Sequence, residues 1–221
     1  MIIALLGAES TGKSALAQAL AQALQTQGRD AVAVGEYLRE WCALHQRTPH
    51  RDEQAHIART QQQRIEAATA QHALVIADTT PLMTALYSEY VFADLALYPQ
   101  AIVWQRSCAL TLVSGLDLPW QADGIQRDGP HARAPVDALL RQRLDAAAIA
   151  YRVVYGAGAQ RLQNAIDCIA AYASIQRPAA IKPGKKWVWV CDKCSDPDCE
   201  HRLFSQLTAP SSAPVDGPVA G

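Results

Sequence analysis

The sequence predicts an α/β protein of three layers, a parallel sheet of five strands with helices packed on both faces. Three observations predict it. Short apolar runs alternate with longer helical stretches across residues 1–175, the pattern of right-handed βαβ units. The first run leads into Gly7-Ala8-Glu9-Ser10-Thr11-Gly12-Lys13-Ser14, the G-x-x-x-x-G-K-S pattern of a phosphate-binding loop. A later run, Leu74-Val75-Ile76-Ala77, ends in Asp78, as the acid-bearing strand of a P-loop NTPase does. The fold class is therefore that of a P-loop NTPase.

The elements follow in order. Ile2–Leu6 is short and wholly apolar, suited to a strand buried on both faces. Lys13 to Gln27 is rich in Ala, Leu and Gln, with Leu16, Leu20 and Leu24 on one helical face and Gly28 as its stop. Ala31–Val34 is the second strand. It delivers Glu36-Tyr37-Leu38-Arg39-Glu40 at its carboxyl end, where open α/β sheets place their ligands. Arg51 to Gln71 reads as a long polar helix capped by Asp52. The third strand ends at Asp78, and Pro81 opens the helix that runs to about Phe92. Residues 93–107 read as two short helical pieces broken at Pro99. Ala109–Val113 is the fourth strand. Residues 114–135 lack apolar periodicity and carry several Gly and Pro, so they read as a lid. A helix over Val136–Ala150, a strand over Tyr151–Gly156 and a helix over Ala159–Ala173 complete the core.

The chemistry follows from these positions. Residues 7–14, Gly7, Ala8, Glu9, Ser10, Thr11, Gly12, Lys13 and Ser14, cradle a nucleotide's phosphates with main-chain N–H groups at a helix N-terminus. Lys13 reaches the β- and γ-phosphates, and Ser14 with Asp78 holds Mg²⁺. Asp78 has a second reading, as a cap for the helix at Pro81. Glu36, or else Asp117, can take the proton of an acceptor hydroxyl, and Arg39 can offset charge on the phosphoryl group. An ordinary solvated Glu/Arg helix face is the alternative. In the lid, Arg127 and Arg133 can close over a triphosphate. Trp120, beside Asp117 or Asp123, suits a flat and especially a cationic ring; it can equally pin the loop. Tyr37, Trp41, Tyr87 and Trp104 read as core, although Tyr37, within the Glu36–Glu40 block, is also a candidate for binding the substrate. His45, His50, His56 and His72 receive no role.

With 221 residues, half of them hydrophobic, and a net charge of −1, the chain can hold one α/β domain and an appendage. The neutral balance argues against nucleic acid as a partner. No apolar run approaches the roughly 20 residues of a membrane span, and the first strand is too short and lacks the basic flank of a signal peptide. A cytoplasmic protein is predicted, with its six cysteines as thiols or metal ligands. Cys42, Cys108 and Cys168 fall in core elements.

Four blocks occur together and in order: the phosphate loop, Glu36-Tyr37-Leu38-Arg39-Glu40, Asp78-Thr79, and Leu118-Pro119-Trp120-Gln121-Ala122-Asp123-Gly124-Ile125. In this the chain resembles the P-loop kinase domain of the NadR type, the ribosylnicotinamide kinase-like ATPases, over about residues 1–175. The resemblance implies transfer of the ATP γ-phosphate to the 5′-hydroxyl of nicotinamide riboside, giving nicotinamide mononucleotide in NAD biosynthesis. A small nucleoside is then the partner, and ATP and Mg²⁺ the cofactors. Larger members of that family carry a DNA-binding helix-turn-helix and an adenylyltransferase domain ahead of the kinase. The first strand here begins at Ile2, so those activities are not expected.

The composition changes near Gln176. Residues 176–186 form a basic, Pro/Gly-broken linker, residues 187–207 a Trp/Cys/His segment, and residues 208–221 a tail expected to be disordered. Cys191, Cys194, Cys199 and His201 supply three thiolates and an imidazole within eleven residues, a ligand set for structural Zn²⁺; a redox dithiol is the rival. The sequence predicts a MgATP-dependent small-molecule kinase. The alternative is a nucleotide-binding regulatory ATPase whose zinc-containing tail captures a partner.

Overall fold

In the computed structural model, residues 1–121 and 129–176 are described. The five strands are β1 (Ile2–Leu6), β2 (Ala31–Val34), β3 (Leu74–Asp78), β4 (Leu110–Ser114) and β5 (Tyr151–Val154). They form one sheet in the order β2-β3-β1-β4-β5, every neighbouring pair parallel. Among the described residues the helices are α1 (Lys13–Thr26), α2 (Tyr37–His45), α3 (Gln54–Thr69), α4 (Pro81–Phe92), α5 (Tyr98–Gln105), α6 (Arg133–Ala146) and α7 (Gly158–Gln176). None is long and apolar enough to cross a membrane.

The layers follow from the two-residue period of a strand. On β1, Ile3 and Leu5 point to one face and join Leu16, Leu20 and Leu24 of α1 and Ala165 and Ile169 of α7. Ala4 and Leu6 point to the other and join Leu82 and Leu86 of α4 and Val136 and Leu140 of α6. On β3, Ile76 faces α1, while Val75 and Ala77 face Ile65 of α3 and Trp104 of α5. Leu20 and Leu24 are at most 1% exposed, worth about 1.5–3 kcal/mol each for full burial. α1 stops as the glycine rule requires. Gly28 has φ +75°, and the Arg29 N–H closes back on the Leu24 carbonyl at 3.0 Å.

Several boundaries differ from expectation. Asp52 does not cap α3. A 3-10 turn over Arg51–Glu53 precedes it, and the Glu53 carboxylate accepts the His50 N–H at 2.7 Å. Pro99 does not break a helix; it sits in the first turn of α5, where its missing N–H costs nothing. β4 lies one residue later than expected and ends on Ser114. α6 begins at Arg133, three residues before Val136, because Pro130 sets a 3-10 turn leading into it. Arg133 and Pro135 are therefore helical and not part of a lid. Cys42 is buried while Cys108 and Cys168 are half-buried. Burial pushes the Cys42 thiol up to about 11 and the Cys108 thiol up to about 12, so both remain protonated apolar side chains.

Candidate functional site

β1 and β3 pair with Leu5 opposite Asp78, so the chain leaves both strands at the same edge. There β1 passes into residues 7–12 and then α1. Gly7 has φ +145°, and a Cβ on it would meet Ser114 Cβ at 3.1 Å and the Ser114 carbonyl oxygen at 3.2 Å. Only glycine lets the loop pass this close to the end of β4. Ser10 at φ +53° and Gly12 at φ +74° complete the left-handed bends that turn main-chain N–H groups inward. Two side chains fasten the loop on itself: Thr11 Oγ1 donates to the Ala8 carbonyl at 2.8 Å, and Lys13 Nζ donates to the same carbonyl at 2.8 Å. Ser10 Oγ is clasped from the other side. It accepts the Gln121 N–H at 2.7 Å and donates to the Gln121 carbonyl at 3.1 Å.

Two pockets open on this loop. One holds Thr11, Gly12, Ser14, Leu118 and Pro119 and is the phosphate side. The other holds Gly7, Glu36, Leu38, Thr79, Met83 and Tyr87. Ser10, Lys13 and Arg39 line both. A third, mostly apolar groove shares Gly12, Ala15 and Leu118 with the phosphate side and runs to Gly158 and Leu162 of α7.

Asp78 is 2% exposed, and its Oδ1 has no hydrogen-bond partner among the described residues. The same holds for Thr79 Oγ1 and Ser114 Oγ. These orphaned oxygens sit at the carboxyl ends of β3 and β4. A buried carboxylate oxygen left open beside a phosphate loop fits a hard, oxygen-liganded cation such as Mg²⁺. It does not fit a helix cap: the α4 N-cap position belongs to Thr80. Thr79 itself has φ +76°, strain of the kind that functional sites store.

Glu36 and Arg39 both reach the second pocket, the Arg39 Nη2 lying 4.0 Å from Glu36 Oε2. Tyr37 does not. Its ring packs edge-on to His56, with the Arg64 guanidinium 4.5 Å above it. Asp117 is likewise committed elsewhere. Its carboxylate accepts the Gly156 N–H at 2.5 Å and Arg161 Nη1 at 2.9 Å. Partial burial pushes that carboxyl up, but the Gly156 N–H and the Arg161 guanidinium together hold it below the usual carboxylate range. Arg161, 3% exposed, also donates to the Gly156 and Gly115 carbonyls, so the pair ties the start of the 115–121 segment to the loop after β5. Trp120 and Arg133 line neither pocket; Arg133 is 9% exposed and leans on the Leu116 carbonyl at 3.4 Å. Asp123, Arg127, Cys191, Cys194, Cys199 and His201 lie outside the described residues.

Sequence reasoning passed over Gln61. It is 2% exposed on α3. Its Oε1 accepts the Tyr37 N–H at 2.7 Å, and its Nε2 donates to the Gly35 carbonyl at 3.2 Å and the Thr79 carbonyl at 3.3 Å. One amide thus stitches the backbone on both sides of Glu36 to the residue after Asp78. A signal was present. Gln54, Ile57, Ala58, Gln61 and Ile65 form the buried stripe of α3, and two glutamines on an apolar stripe mark polar work.

A family model described as an AAA domain matches residues 2–161. No curated protein sequence matches the chain. Among solved structures, it is similar to NadR protein in complex with NR, with a TM-score of 0.63 and 20% identity over 77% of this chain and 50% of that one. It is also similar to NadR protein in complex with NAD and AMP-PNP, with a TM-score of 0.58 and 17% identity over 80% and 50%. Thymidylate kinase from Ehrlichia chaffeensis follows with a TM-score of 0.54 and 14% identity over 80% and 98%. The chain spans half the length of the NadR chains it matches. At these identities the likeness is one of fold, a P-loop kinase-like fold.

Proposed function

The chain belongs to the AAA domain family, and from that premise we propose that it is a MgATP-dependent kinase that phosphorylates the 5′-hydroxyl of a nucleoside, nicotinamide riboside first among the candidates. One observation carries this reading: the phosphate-side pocket and the Glu36 pocket share Ser10, Lys13 and Arg39 between them. A donor and an acceptor entering the two sides would meet at a lysine and an arginine. A hydrolase or a nucleotide switch has no need of the second pocket. The match to NadR protein solved with NR supports the choice of acceptor.

In this reading the loop N–H groups hold the phosphate tail. Lys13 leaves the Ala8 carbonyl to bridge phosphate oxygens. Ser14 and Asp78 would hold Mg²⁺, which when bound offsets negative charge on the phosphates. The Glu36 carboxylate takes the proton of the acceptor hydroxyl while that oxygen bonds to the γ-phosphorus. The bond from the phosphorus to the β,γ-bridging oxygen breaks, and ADP leaves. Arg39, beside Glu36, faces the equatorial oxygens where charge spreads. The test is incubation with MgATP and a panel of nucleosides that includes nicotinamide riboside, read as nucleoside monophosphate. ATP hydrolysis without a phosphorylated acceptor from any of them overturns the reading.

A further inference from the structure

Thr79, the residue after Asp78, occupies a backbone that its side chain does not suit. Its φ is +76°, in the left-handed region that a β-branched residue enters only under strain. Glycine would take the same backbone freely. Three contacts hold the chain there. The Thr79 N–H donates to the Leu5 carbonyl at 3.1 Å. The Thr79 carbonyl accepts Gln61 Nε2 at 3.3 Å. One residue on, Thr80 Oγ1 donates to Gln105 Oε1 at 2.6 Å, and Gln105 Nε2 donates to Thr111 Oγ1 of β4 at 3.0 Å. Two strands and two helices thus enforce a glycine-like conformation at a position that holds threonine.

The threonine hydroxyl does nothing for the fold in exchange. Thr79 is 5% exposed, and its Oγ1 is buried with no hydrogen-bond partner among the described residues. The hydroxyls around it differ: Thr80 Oγ1 has Gln105, and Thr11 Oγ1 has the Ala8 carbonyl. Thr79 lines the Glu36 pocket together with Gly7 and Lys13 of the phosphate loop and with Arg39. One staggered step about χ1 moves its hydroxyl to the place of its methyl, so the residue can present either group to that pocket.

We infer that Thr79 is a further catalytic residue, whose hydroxyl donates a hydrogen bond to an oxygen of the γ-phosphoryl group as that group passes from nucleotide to acceptor. The inference rests on the kinase reading. The phosphoryl oxygens only accept hydrogen bonds, and charge spreads over them in the transition state. Thr79 keeps its proton, and Glu36 remains the base. The strain persists because glycine, which relieves it, has no donor to offer.

Three variants of the full chain test this, assayed with MgATP and the nucleoside that the unaltered protein phosphorylates. Thr79→Val keeps the shape and the strain and removes the donor. Its kcat should fall about a hundredfold, with KM for both substrates within about threefold, and it should melt at or above the parent because a buried hydroxyl without a partner is gone. Thr79→Ser keeps the donor and should hold kcat within about fivefold of the parent. Thr79→Gly relieves the backbone and should turn over as slowly as the valine variant. A valine or glycine variant at the parental kcat overturns the inference, as does a serine variant as slow as the valine one. A valine variant that melts well below the parent gives the hydroxyl a structural role and overturns it too. Product from the unaltered protein with no dependence on the hydroxyl removes the inference alone. No nucleoside monophosphate from the unaltered protein removes the kinase reading and the inference with it.

Discussion

Gln61 ties the Gly35–Tyr37 and Thr79 segments together, and on the kinase reading its replacement should damage the chemistry more than nucleotide binding. Gln61→Met keeps the volume and removes all three hydrogen bonds. The 2.7 Å bond from the Tyr37 N–H is the costly loss, because an N–H left unsatisfied costs about 1–3 kcal/mol. The contacts to the Gly35 and Thr79 carbonyls at 3.2 and 3.3 Å are longer and add about 0.5 kcal/mol each at the low end of the usual range. The sum is about 2–4 kcal/mol, or a melting temperature lower by about 4–16 °C for a domain of this size. The Gly35–Tyr37 and Thr79 segments then shift independently. A displacement of about 1 Å at reacting groups costs on the order of a hundredfold in rate, so kcat should fall by about 10–100-fold. The phosphate loop touches neither segment through Gln61, so ATP affinity measured by calorimetry should stay within about threefold. A variant that melts within about 0.5 kcal/mol of the parent and turns over at the parental rate would refute the stitching role.

Lys13→Ala should lower phosphoryl transfer by about a hundredfold or more, measured as nucleoside monophosphate formed, and full activity in that variant would remove the phosphate-loop assignment. Glu89→Gln tests a remote ion pair. Arg143, aided by the Tyr98 hydroxyl against the desolvation cost, holds the Glu89 carboxyl below the usual carboxylate range. Its stabilisation is therefore fully present above the unfolded-state value near pH 4.5 and is lost as pH falls through the lower folded-state value. The variant should be less stable by about 1.5–3 kcal/mol at neutral pH, and its denaturation midpoint should converge on the parent's once the pH has fallen below that folded-state value.

The sheet was legible because central parallel strands buried on both faces read as continuous apolar runs, as Ile2–Leu6 and residues 74–77 do, and the half-buried edge strand Ala31–Val34 is apolar as well. The phosphate loop was legible because its chemistry is local: glycines, a lysine and a serine in fixed spacing. What escaped was set by contacts distant in sequence. Asp117 looked like a ligand for a base, yet Arg161, 44 residues later, takes its carboxylate. Arg133 looked like a mobile lid cation, but Pro130 begins a turn that draws it into α6. Gln61 hid among the glutamines of a polar helix until its place on the Ile57–Ile65 stripe gave it away.

Asp78 gives the reading of the metal site a test that does not depend on turnover. Its side chain is buried at the end of β3 with Oδ1 unpartnered, so without ligand it carries an unsatisfied oxygen that the fold tolerates. Asp78→Asn keeps the shape and removes the charge. In the absence of nucleotide and magnesium the variant should gain about 1 kcal/mol, raising the melting temperature by about 2–4 °C. Added MgATP should reverse the order. At a hundred times its dissociation constant it stabilises the parent by about 2.7 kcal/mol, and most of that should be lost in the variant together with product formation. A variant that melts below the parent without ligand would mean that the carboxylate serves the fold. Asp78 would then be a structural acid, and the argument for a cation beside Ser14 would lose its carboxylate.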